Sequence, residues 1–285
     1  MVKFVVWDVQ HGSATYISTP GGQHIVVDLG TGSYGASNLE FSPLLHMKEK
    51  WGIKQLDSVI ITHPHRDHLD DIFNFDSLSP RVLTRPKHLT EREIRAGNRH
   101  GDQEIVNKYL EIDRRYSRPL DPTKNPFLPE NNGGVKIQTF VPSFCGTSNL
   151  NNHSVVTVIS YAHSKMMIPG DNEPASWNEL LEKPDFLSAI TGTDILVAPH
   201  HGRDSGFSSE LFKYISPYLI IISDSRFGDT SATDRYSQKA KGWTVHKRNG
   251  GREKRKCVTT RNDGVIVVKF GENTDAKPFI EVTID

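Results

Sequence analysis

Residues 58–72, Ser58-Val-Ile-Ile-Thr-His63-Pro-His65-Arg-Asp67-His68-Leu-Asp-Asp-Ile72, decide the fold of this chain, because an apolar run here ends in four potential metal ligands. The β-branched residues 59–61 predict a buried strand. Pro64 favours an extended conformation at the residue before it. His63 and His65 would then leave the strand end on one face, where two imidazoles can share one ion.

Asp67 and His68 follow in the turn that leads into a predicted helix over residues 69–75. They offer an oxygen and a nitrogen to a second ion beside the first. The alternative is a polar loop that holds histidines by chance, but such a loop has no reason to concentrate ligands behind a buried strand. The stretch therefore predicts a metal site.

This His-x-His-x-Asp-His pattern resembles that of the metallo-β-lactamase superfamily. The resemblance implies an α+β fold, a four-layer αββα sandwich, with one or two metals held between its paired sheets. The opening segment, Asp8-Val9-Gln-His-Gly12-Ser-Ala14, is similar to the Asp-Val-x-x-Gly-x-Ala start of the hydrolase domain of ComEC-type competence proteins. His11 falls at a variable position of that motif and is expected to be incidental.

Composition predicts one domain over residues 1–285, since a chain of this length with 36% hydrophobic content can bury one sizeable core. Lys+Arg and Asp+Glu both number 34, so any contact with a nucleic acid must come from local patches. The cysteines Cys145 and Cys257 are too few for a disulfide framework and are expected to be free thiols. Without a signal-like start or a run of ~18 apolar residues, the chain is expected to be cytoplasmic with no membrane partner.

Hydrophobic periodicity predicts strands and helices through most of the chain. The predicted strands cover residues 3–9, 14–18, 24–28, 135–141, 154–161, 165–168, 217–223, 258–260 and 265–270. Helices are predicted at 42–51 and 173–181, and a hairpin turn at Asn262-Asp-Gly264. Residues 76–134 are charged and lack strand alternation, which predicts a helical and loop insertion with a helix over 90–116.

Several basic residues of this insertion could line a substrate channel next to the site. A solvated helical face is the alternative for each of them and is slightly favoured for any one. The residues are Arg81, Arg85, Lys87, Arg92, Arg95 and Arg99.

Two further carboxylates follow predicted strands. Asp28 ends the third strand, and the resemblance implies that it orients a metal-binding imidazole; a turn-forming Asp is the alternative. Asp171 follows Pro169-Gly170, and the superfamily has its bridging carboxylate in this Gly-Asp setting. The resemblance therefore implies that Asp171 bridges two ions.

Three histidines complete the predicted ligand set. His153 precedes a strand at a position where other branches of the superfamily have a histidine on the first metal, although ComEC-like sequences generally do not; a polar loop histidine is the alternative. His200 and His201 end a buried strand in a segment that resembles the His-His-Gly-Ser segment of the ComEC-like branch, with Arg203 at the Ser position. Adjacent residues of an extended chain point to opposite faces, so one of the pair, preferably His201, is expected to bind metal. His200 would then contact the substrate phosphate or donate a proton to the leaving oxygen.

Residues 241–256 carry seven Lys or Arg and one acid, Glu253, with Trp243 and His246 nearby. A basic loop with an aromatic residue can hold a phosphate backbone and stack a base; a solvated surface loop is the alternative. The candidate substrate-binding residues are Lys247, Arg248, Lys254, Arg255 and Arg203.

The sequence thus predicts a dinuclear centre of two divalent ions, zinc or manganese. His63, His65 and His153 would hold the first ion, and Asp67, His68 and His201 the second, with Asp171 as the bridge. Asp67, Asp171 and His200 are the candidate catalytic residues. Such a pair of ions lowers the pKa of a shared water and stabilises charge on the attacked centre, which predicts a hydrolase.

The ComEC-like resemblance implies phosphodiester cleavage, with DNA as the expected substrate. Two alternatives stay open at this point. One is hydrolysis of a small phosphodiester, as in related phosphorylcholine esterases, and the other is a metal-binding regulatory module without turnover. The intact ligand set argues against the second. The identity of a possible partner protein stays open.

Overall fold

Two β-sheets face each other in the computed structural model of this chain, which describes residues 1–32, 41–226 and 231–285. Within these residues the larger sheet has nine strands in the order β12-β11-β15-β14-β1-β2-β3-β4-β5, and the smaller has six in the order β13-β10-β9-β8-β7-β6. The strands are β1 (Val2–Val6), β2 (Thr15–Ser18), β3 (His24–Val27), β4 (Ser58–Ile60), β5 (Val82–Thr84), β6 (Lys136–Phe140), β7 (Val156–Tyr161), β8 (Ser164–Ile168), β9 (Ile195–Val197), β10 (Leu219–Ile222), β11 (Trp243–Lys247), β12 (Arg252–Arg255), β13 (Cys257–Thr259), β14 (Ile266–Glu272) and β15 (Pro278–Ile284).

Helices cover the outer faces of both sheets. Those in the described ranges are α1 (Pro43–Glu49), α2 (Glu91–Ala96), α3 (Gln103–Arg115), α4 (Pro129–Asn132), α5 (Pro174–Leu181), α6 (Pro184–Ile190), α7 (Thr233–Ser237) and α8 (Thr260–Asp263). None of the helices in the part of the chain that the structure describes combines the length and apolar character that a membrane crossing requires.

Three apolar layers hold the elements together. One lies between the sheets, where Phe4 and Ile221 are fully buried. A second packs α1 and α3 against the larger sheet, and a third packs α5, α6 and α7 against the smaller sheet around Trp177. This is the predicted αββα sandwich, and the α+β fold class is confirmed.

Parallel strands in each sheet bring the ligand-bearing loops that follow them to one edge of the sandwich. β3, β4 and β5 run parallel in the larger sheet, and β8, β9 and β10 run parallel in the smaller one. The chain leaves β4 toward His68 and β9 toward His201, and the two imidazole rings lie 5.3 Å apart. Both blocks therefore end at one edge between the sheets, which is where the site forms.

The predicted long helix over 90–116 is wrong as a single element. α2 ends at Ala96, and a short 3-10 turn, His100–Asp102, precedes α3. The predicted helix over 69–75 is a 3-10 helix over Asp70–Leu78. The stretch 76–134 also contains the edge strand β5, which was not predicted. β5 has only three residues and lies between charged neighbours, so its sequence shows no strand pattern.

The hairpin predicted at residues 262–264 is also wrong. β13 pairs with β10 in the smaller sheet, whereas β14 pairs with β1 in the larger one. α8 carries the chain from one sheet to the other, and the Asp263 carboxylate accepts a hydrogen bond from the Thr259 amide. The basic stretch predicted as a loop is β11 and β12, an antiparallel pair at the end of the larger sheet.

Close backbone approach explains the glycines of the first two turns. A Cβ on Gly30 would lie 2.8 Å from the Ser13 amide nitrogen and 2.9 Å from the Asp67 carbonyl oxygen, and a Cβ on Gly12 would lie 2.9 Å from the same oxygen. The Ser13 amide donates to that carbonyl at 3.1 Å. The absence of side chains here lets both turns hold the backbone of the metal-motif loop.

We expect Gly30→Ala to destabilise the fold by about 1–3 kcal/mol, because backbone atoms that cannot move independently oppose the new methyl group. Denaturant unfolding measures the change. Gly146→Ala is the matched control, since its Cβ would meet nothing within 4 Å, and we expect a change of about 0.5 kcal/mol or less. Equal stability of the two variants would contradict the close-approach explanation.

Candidate metal centre

The end of β4 brings two neutral imidazoles together. His63 is fully buried, and its Nε2 lies 2.9 Å from Nδ1 of His65. Burial lowers the pKa of both side chains, which favours the neutral form that binds metal. The Asn98 amide donates to the Pro64 carbonyl at 2.9 Å and thereby ties this loop to the segment after α2. The structure therefore brings His63 and His65 into one potential ligand pair.

Asp28 contacts the next candidate ligand, and its predicted role of orienting a metal-bound imidazole stays a prediction. Its buried carboxylate accepts a hydrogen bond from Nδ1 of His68 at 2.7 Å and from the amide and hydroxyl of Thr62. Asp28 has a left-handed backbone (φ 62°), which Asp tolerates better than most residues. With Nδ1 engaged, Nε2 of His68 faces the centre of the site.

Asp171 lies at the middle of the ligand set. Its oxygens lie 3.2 Å from Nε2 of His68, 3.5 Å from Nε2 of His201 and 4.0 Å from Nε2 of His63. The Ser154 hydroxyl accepts a hydrogen bond from the Asp171 amide, which fixes this turn against the segment before β7. The carboxylate is therefore placed to face both halves of the predicted centre.

His200 and His201 do not lie on an extended chain, contrary to the prediction. Both have left-handed backbones, with φ of 50° and 54°, and Gly202 follows at 72°. A left-handed conformation at a residue other than glycine costs about 1–2 kcal/mol. It turns Nε2 of His201 to within 3.2 Å of Asp67, while Nδ1 lies 3.0 Å from the Ser223 carbonyl oxygen.

The donor set fits a metal. Asp67, His68, Asp171 and His201 each offer a ligand atom, and these four atoms lie within 4.8 Å of one another. Nε2 of His68 and Nε2 of His201 are buried without a well-directed hydrogen-bond acceptor in the described structure. Ligand atoms about 2.0–2.1 Å from a tetrahedral ion lie about 3.3 Å apart, close to the 3.2 and 3.5 Å separations between these imidazoles and Asp171.

The electrostatics of this group agree with that fit. Burial opposes ionisation of Asp67 and Asp171, but His68 and His201 outweigh it and hold both carboxyl pKa values well below their usual range. Burial likewise opposes a charge on His201, but Asp171 and Asp67 raise its pKa to about 9. At neutral pH the imidazolium groups of His68 and His201 therefore balance the carboxylates of Asp67 and Asp171. Metal binding would displace the protons of these imidazoles.

The contacts that the structure shows for His153 lie outside the group of Asp67, His68, Asp171 and His201. Its Nδ1 lies 2.8 Å from Nε2 of His88, and its Nε2 lies 3.4 Å from the Gly146 carbonyl oxygen. Both ring nitrogens are thus engaged elsewhere. His200 lies nearer, with Nε2 3.8 Å from Asp171.

Two residues that the sequence did not single out belong to the site. His11, expected to be incidental, lies 3.5 Å from the Asp67 carboxylate, and its ring centroid is 4.8 Å from that of His201. Glu173 lies 3.1 Å from Nδ1 of His200 and accepts a hydrogen bond from Asn151. Glu173 follows Asp171 by two positions, which is a weak signal, and nothing in the spacing indicated His11.

A cavity of about 430 Å³ opens over the ligand group. Its lining includes Arg66, Arg99 and Arg203, and Nη2 of Arg203 lies 3.3 Å from Nε2 of His11. Arg66 ion-pairs with Asp102, which also lines the cavity. Of the six insertion residues proposed as a channel, Arg99 lines this cavity.

The basic segment lies elsewhere. β12 is seven strand positions from β4, roughly 34 Å along the sheet at ~4.8 Å per strand. Lys247 ion-pairs with Glu253, and Arg248 ion-pairs with Asp285. Arg255 ion-pairs with Glu253 and Asp263. The prediction that this segment binds substrate stays a prediction, and acidic neighbours offset much of its charge.

The model of the metallo-beta-lactamase superfamily matches residues 7–210, which contain the whole ligand group. The chain belongs to the metallo-β-lactamase superfamily. This membership supports a hydrolase that binds divalent metal. The ComEC-like branch stays a prediction, and among curated proteins no sequence matches the chain.

Several solved structures are similar to this chain at low identity. A diphosphatase of the PhnP family is 11% identical (84% of this chain and 92% of that chain, TM-score 0.41). Human tRNase Z, short form, is 12% identical (78% and 93%, TM-score 0.39). A mutant metallo-beta-lactamase from Cronobacter sakazakii is 16% identical (65% and 71%, TM-score 0.37). Likenesses of this size do not bear on the substrate of this chain.

We predict that the protein binds two divalent ions per chain, because the ligand set exceeds one tetrahedral shell. Asp171→Ala should lower this content, since its carboxylate faces both halves of the centre. Elemental analysis of metal-loaded protein measures the stoichiometry. Asp275→Ala, at an exposed turn, is the control and should retain two ions. At most one ion in the unmodified protein, unchanged in Asp171→Ala, would contradict the dinuclear centre.

Proposed function

We propose that this superfamily hydrolase is a phosphodiesterase that cleaves a nucleic acid, with DNA as the expected substrate. The observation that carries the proposal is the lining of the cavity, where Arg66, Arg99 and Arg203 surround the Asp67 and Asp171 group. Three arginines are offset by three carboxylates, counting Asp102, so two bound divalent ions would leave the cavity strongly positive. Such a cavity favours an anionic substrate, and guanidinium groups match phosphate oxygens.

The ions, when bound, would supply an activated water and positive charge at the attacked phosphorus. The protein's own contribution is placement. Asp28 holds His68 in one tautomer, and the Asn98 amide holds the backbone between His63 and His65. Rigid ligands keep the reacting groups aligned, which is a large part of catalysis in phosphoryl transfer.

We assign to His200 the donation of a proton to the leaving oxygen. It lines the cavity, and its Nδ1 lies 3.1 Å from the Glu173 carboxylate and 2.8 Å from the Ser205 hydroxyl. Nδ1 is thus occupied by Glu173 and Ser205, while Nε2 lies 3.8 Å from the Asp171 carboxylate. An imidazole with a carboxylate partner is well suited to general acid catalysis.

Hydrolysis of a small phosphodiester is the second candidate. A cavity of about 430 Å³ matches the size range of small-molecule sites, and such a substrate would need no surface beyond it. The two candidates differ in the length of substrate that the protein must contact. The ComEC-like motifs favour the nucleic acid.

The first test of the proposal uses Asp67→Ala and Arg99→Gln. Asp67→Ala should abolish hydrolysis of a chromogenic phosphodiester while retaining a cooperative melt, because the residue lies after a strand and outside the core. Arg99→Gln should mainly raise KM, since it removes a charge that binds the substrate phosphate. Arg92→Gln is the control, as Arg92 is exposed on α2. Normal turnover by Asp67→Ala would show that the site is misassigned.

A second prediction isolates the proton donor. His200→Gln should lower kcat about 100-fold or more for a dinucleotide, whose leaving alkoxide needs a proton. Cleavage of a p-nitrophenyl phosphodiester should fall much less, because its leaving group is stable as an anion. Metal content should match that of the unmodified protein. Equal losses on both substrates would assign His200 to metal binding or folding instead.

A further inference from the structure

A basic groove lies outside the metal centre, along the open edge of β5. Two adjoining cavities of about 380 and 300 Å³ share Arg81, Val82 and Leu120 in their linings. We name this surface the β5 groove and define it by its six basic residues, Arg81, Arg85, Lys87, Arg115, Arg118 and Lys124. All six come from the stretch 76–134 that the sequence predicted as an insertion.

Half of these charges have no ion pair with a residue in the described part of the chain. Arg81 lies 3.3 Å from Asp57, Arg85 lies 2.6 Å from Asp113, and Arg115 lies 2.8 Å from Asp76. The remaining three residues are exposed, and the structure shows no ion pair between them and any described residue: Lys87, Arg118 and Lys124. The groove therefore carries an uncompensated positive charge, which favours an anionic partner.

The edge of β5 is not free to add another strand. The Arg85 guanidinium donates to the Leu83 carbonyl at 3.2 Å, so a backbone acceptor in the middle of the strand is already used. Arg85 also donates to the carbonyls of Asp113 and Tyr116 and so ties the end of α3 to β5. A partner recognised through its charges fits this surface better than an extended peptide that needs main-chain hydrogen bonds.

The groove leads toward the metal centre. β4 and β5 are parallel, so the groove runs from Arg81 to Lys87 in the same direction as β4, which leads into the loop that carries His63. His88 follows Lys87 and contacts His153, and Asn151, two residues before His153, lines the metal cavity. Residues 81–87 could span at most about 20 Å, which is the length of several nucleotides, and the turn at 87–88 shortens this distance.

We propose that the β5 groove binds the phosphate backbone of a nucleic acid strand while a phosphate of the same strand occupies the metal cavity. This inference rests on the proposed function, because it requires that the substrate is a phosphodiester polymer. The groove would then select polymers over small phosphodiesters that fill the same cavity.

The test neutralises three cations in each of two places. The groove variant carries Lys87→Gln, Arg118→Gln and Lys124→Gln. The matched variant carries Lys247→Gln, Arg248→Gln and Lys254→Gln in β11, β12 and their turn. It removes the same amount of charge from the other basic segment that the sequence predicted to bind substrate. Binding of a cleavage-resistant phosphorothioate oligonucleotide, long enough to span cavity and groove, is measured by fluorescence anisotropy across a salt series.

We expect the groove variant to bind the oligonucleotide at least about tenfold more weakly at low salt, and its salt slope to fall by about 2, because three phosphate contacts are lost. The matched variant should retain the unmodified slope. Both variants should hydrolyse a chromogenic phosphodiester at the unmodified rate, since none of the six side chains lines the metal cavity.

Other outcomes would overturn the groove. Weaker binding by the matched variant alone would assign the strand to β11 and β12, and equal losses in both would indicate a general charge effect. Tighter binding of polyglutamate than of the oligonucleotide would show that the groove binds an acidic protein and not a nucleic acid. Hydrolysis of the small substrate without any oligonucleotide binding would reject the groove alone, whereas failure to hydrolyse any phosphodiester would reject the proposed function.

Discussion

The buried carboxylate of Asp171, placed among the imidazoles of His63, His68 and His201, is the constraint on which the rest of the site depends. A charge at 4% exposure is costly unless opposite charges or a metal surround it. The larger sheet supplies His63 and His68, and the smaller sheet supplies Asp171 and His201. The imidazoles therefore surround the Asp171 carboxylate only when the ends of the parallel strands of both sheets meet. The sandwich architecture and the chemistry therefore depend on the same interaction.

Residues outside these strands hold the ligand side chains in position. Gly12 and Gly30 allow two turns to approach the Asp67 backbone, and Asp28 fixes the orientation of His68. The left-handed backbones of His200 and His201 are strained, and the surrounding contacts must stabilise them. Such strain at a turn that presents ligands is consistent with a rigid centre, in which the protein holds the geometry before substrate arrives.

The charged stretch between β4 and β6 connects the metal centre to the outside of the molecule. Asn98 contacts the backbone of the metal-motif loop, Arg99 lines the cavity, and His88 contacts the segment before β7. The same stretch supplies the cations of the β5 groove. A single region thus influences the ligand loop, the wall of the cavity and a surface that a polymer could follow.

The sequence by itself determined the elements whose signal is local. Residues 58–68 and 194–201 each place ligands directly after a buried run, and Asp171 follows a Gly turn, so strand ends with metal-binding side chains could be predicted without knowing their partners. The sandwich followed from the resemblance that these segments carry. Only the tertiary structure decided the partners: it placed His11 beside Asp67, paired His153 with His88, and separated β13 from β14 into different sheets. These outcomes depend on packing between segments far apart in the chain, and neither periodicity nor residue spacing records which distant surfaces will be in contact.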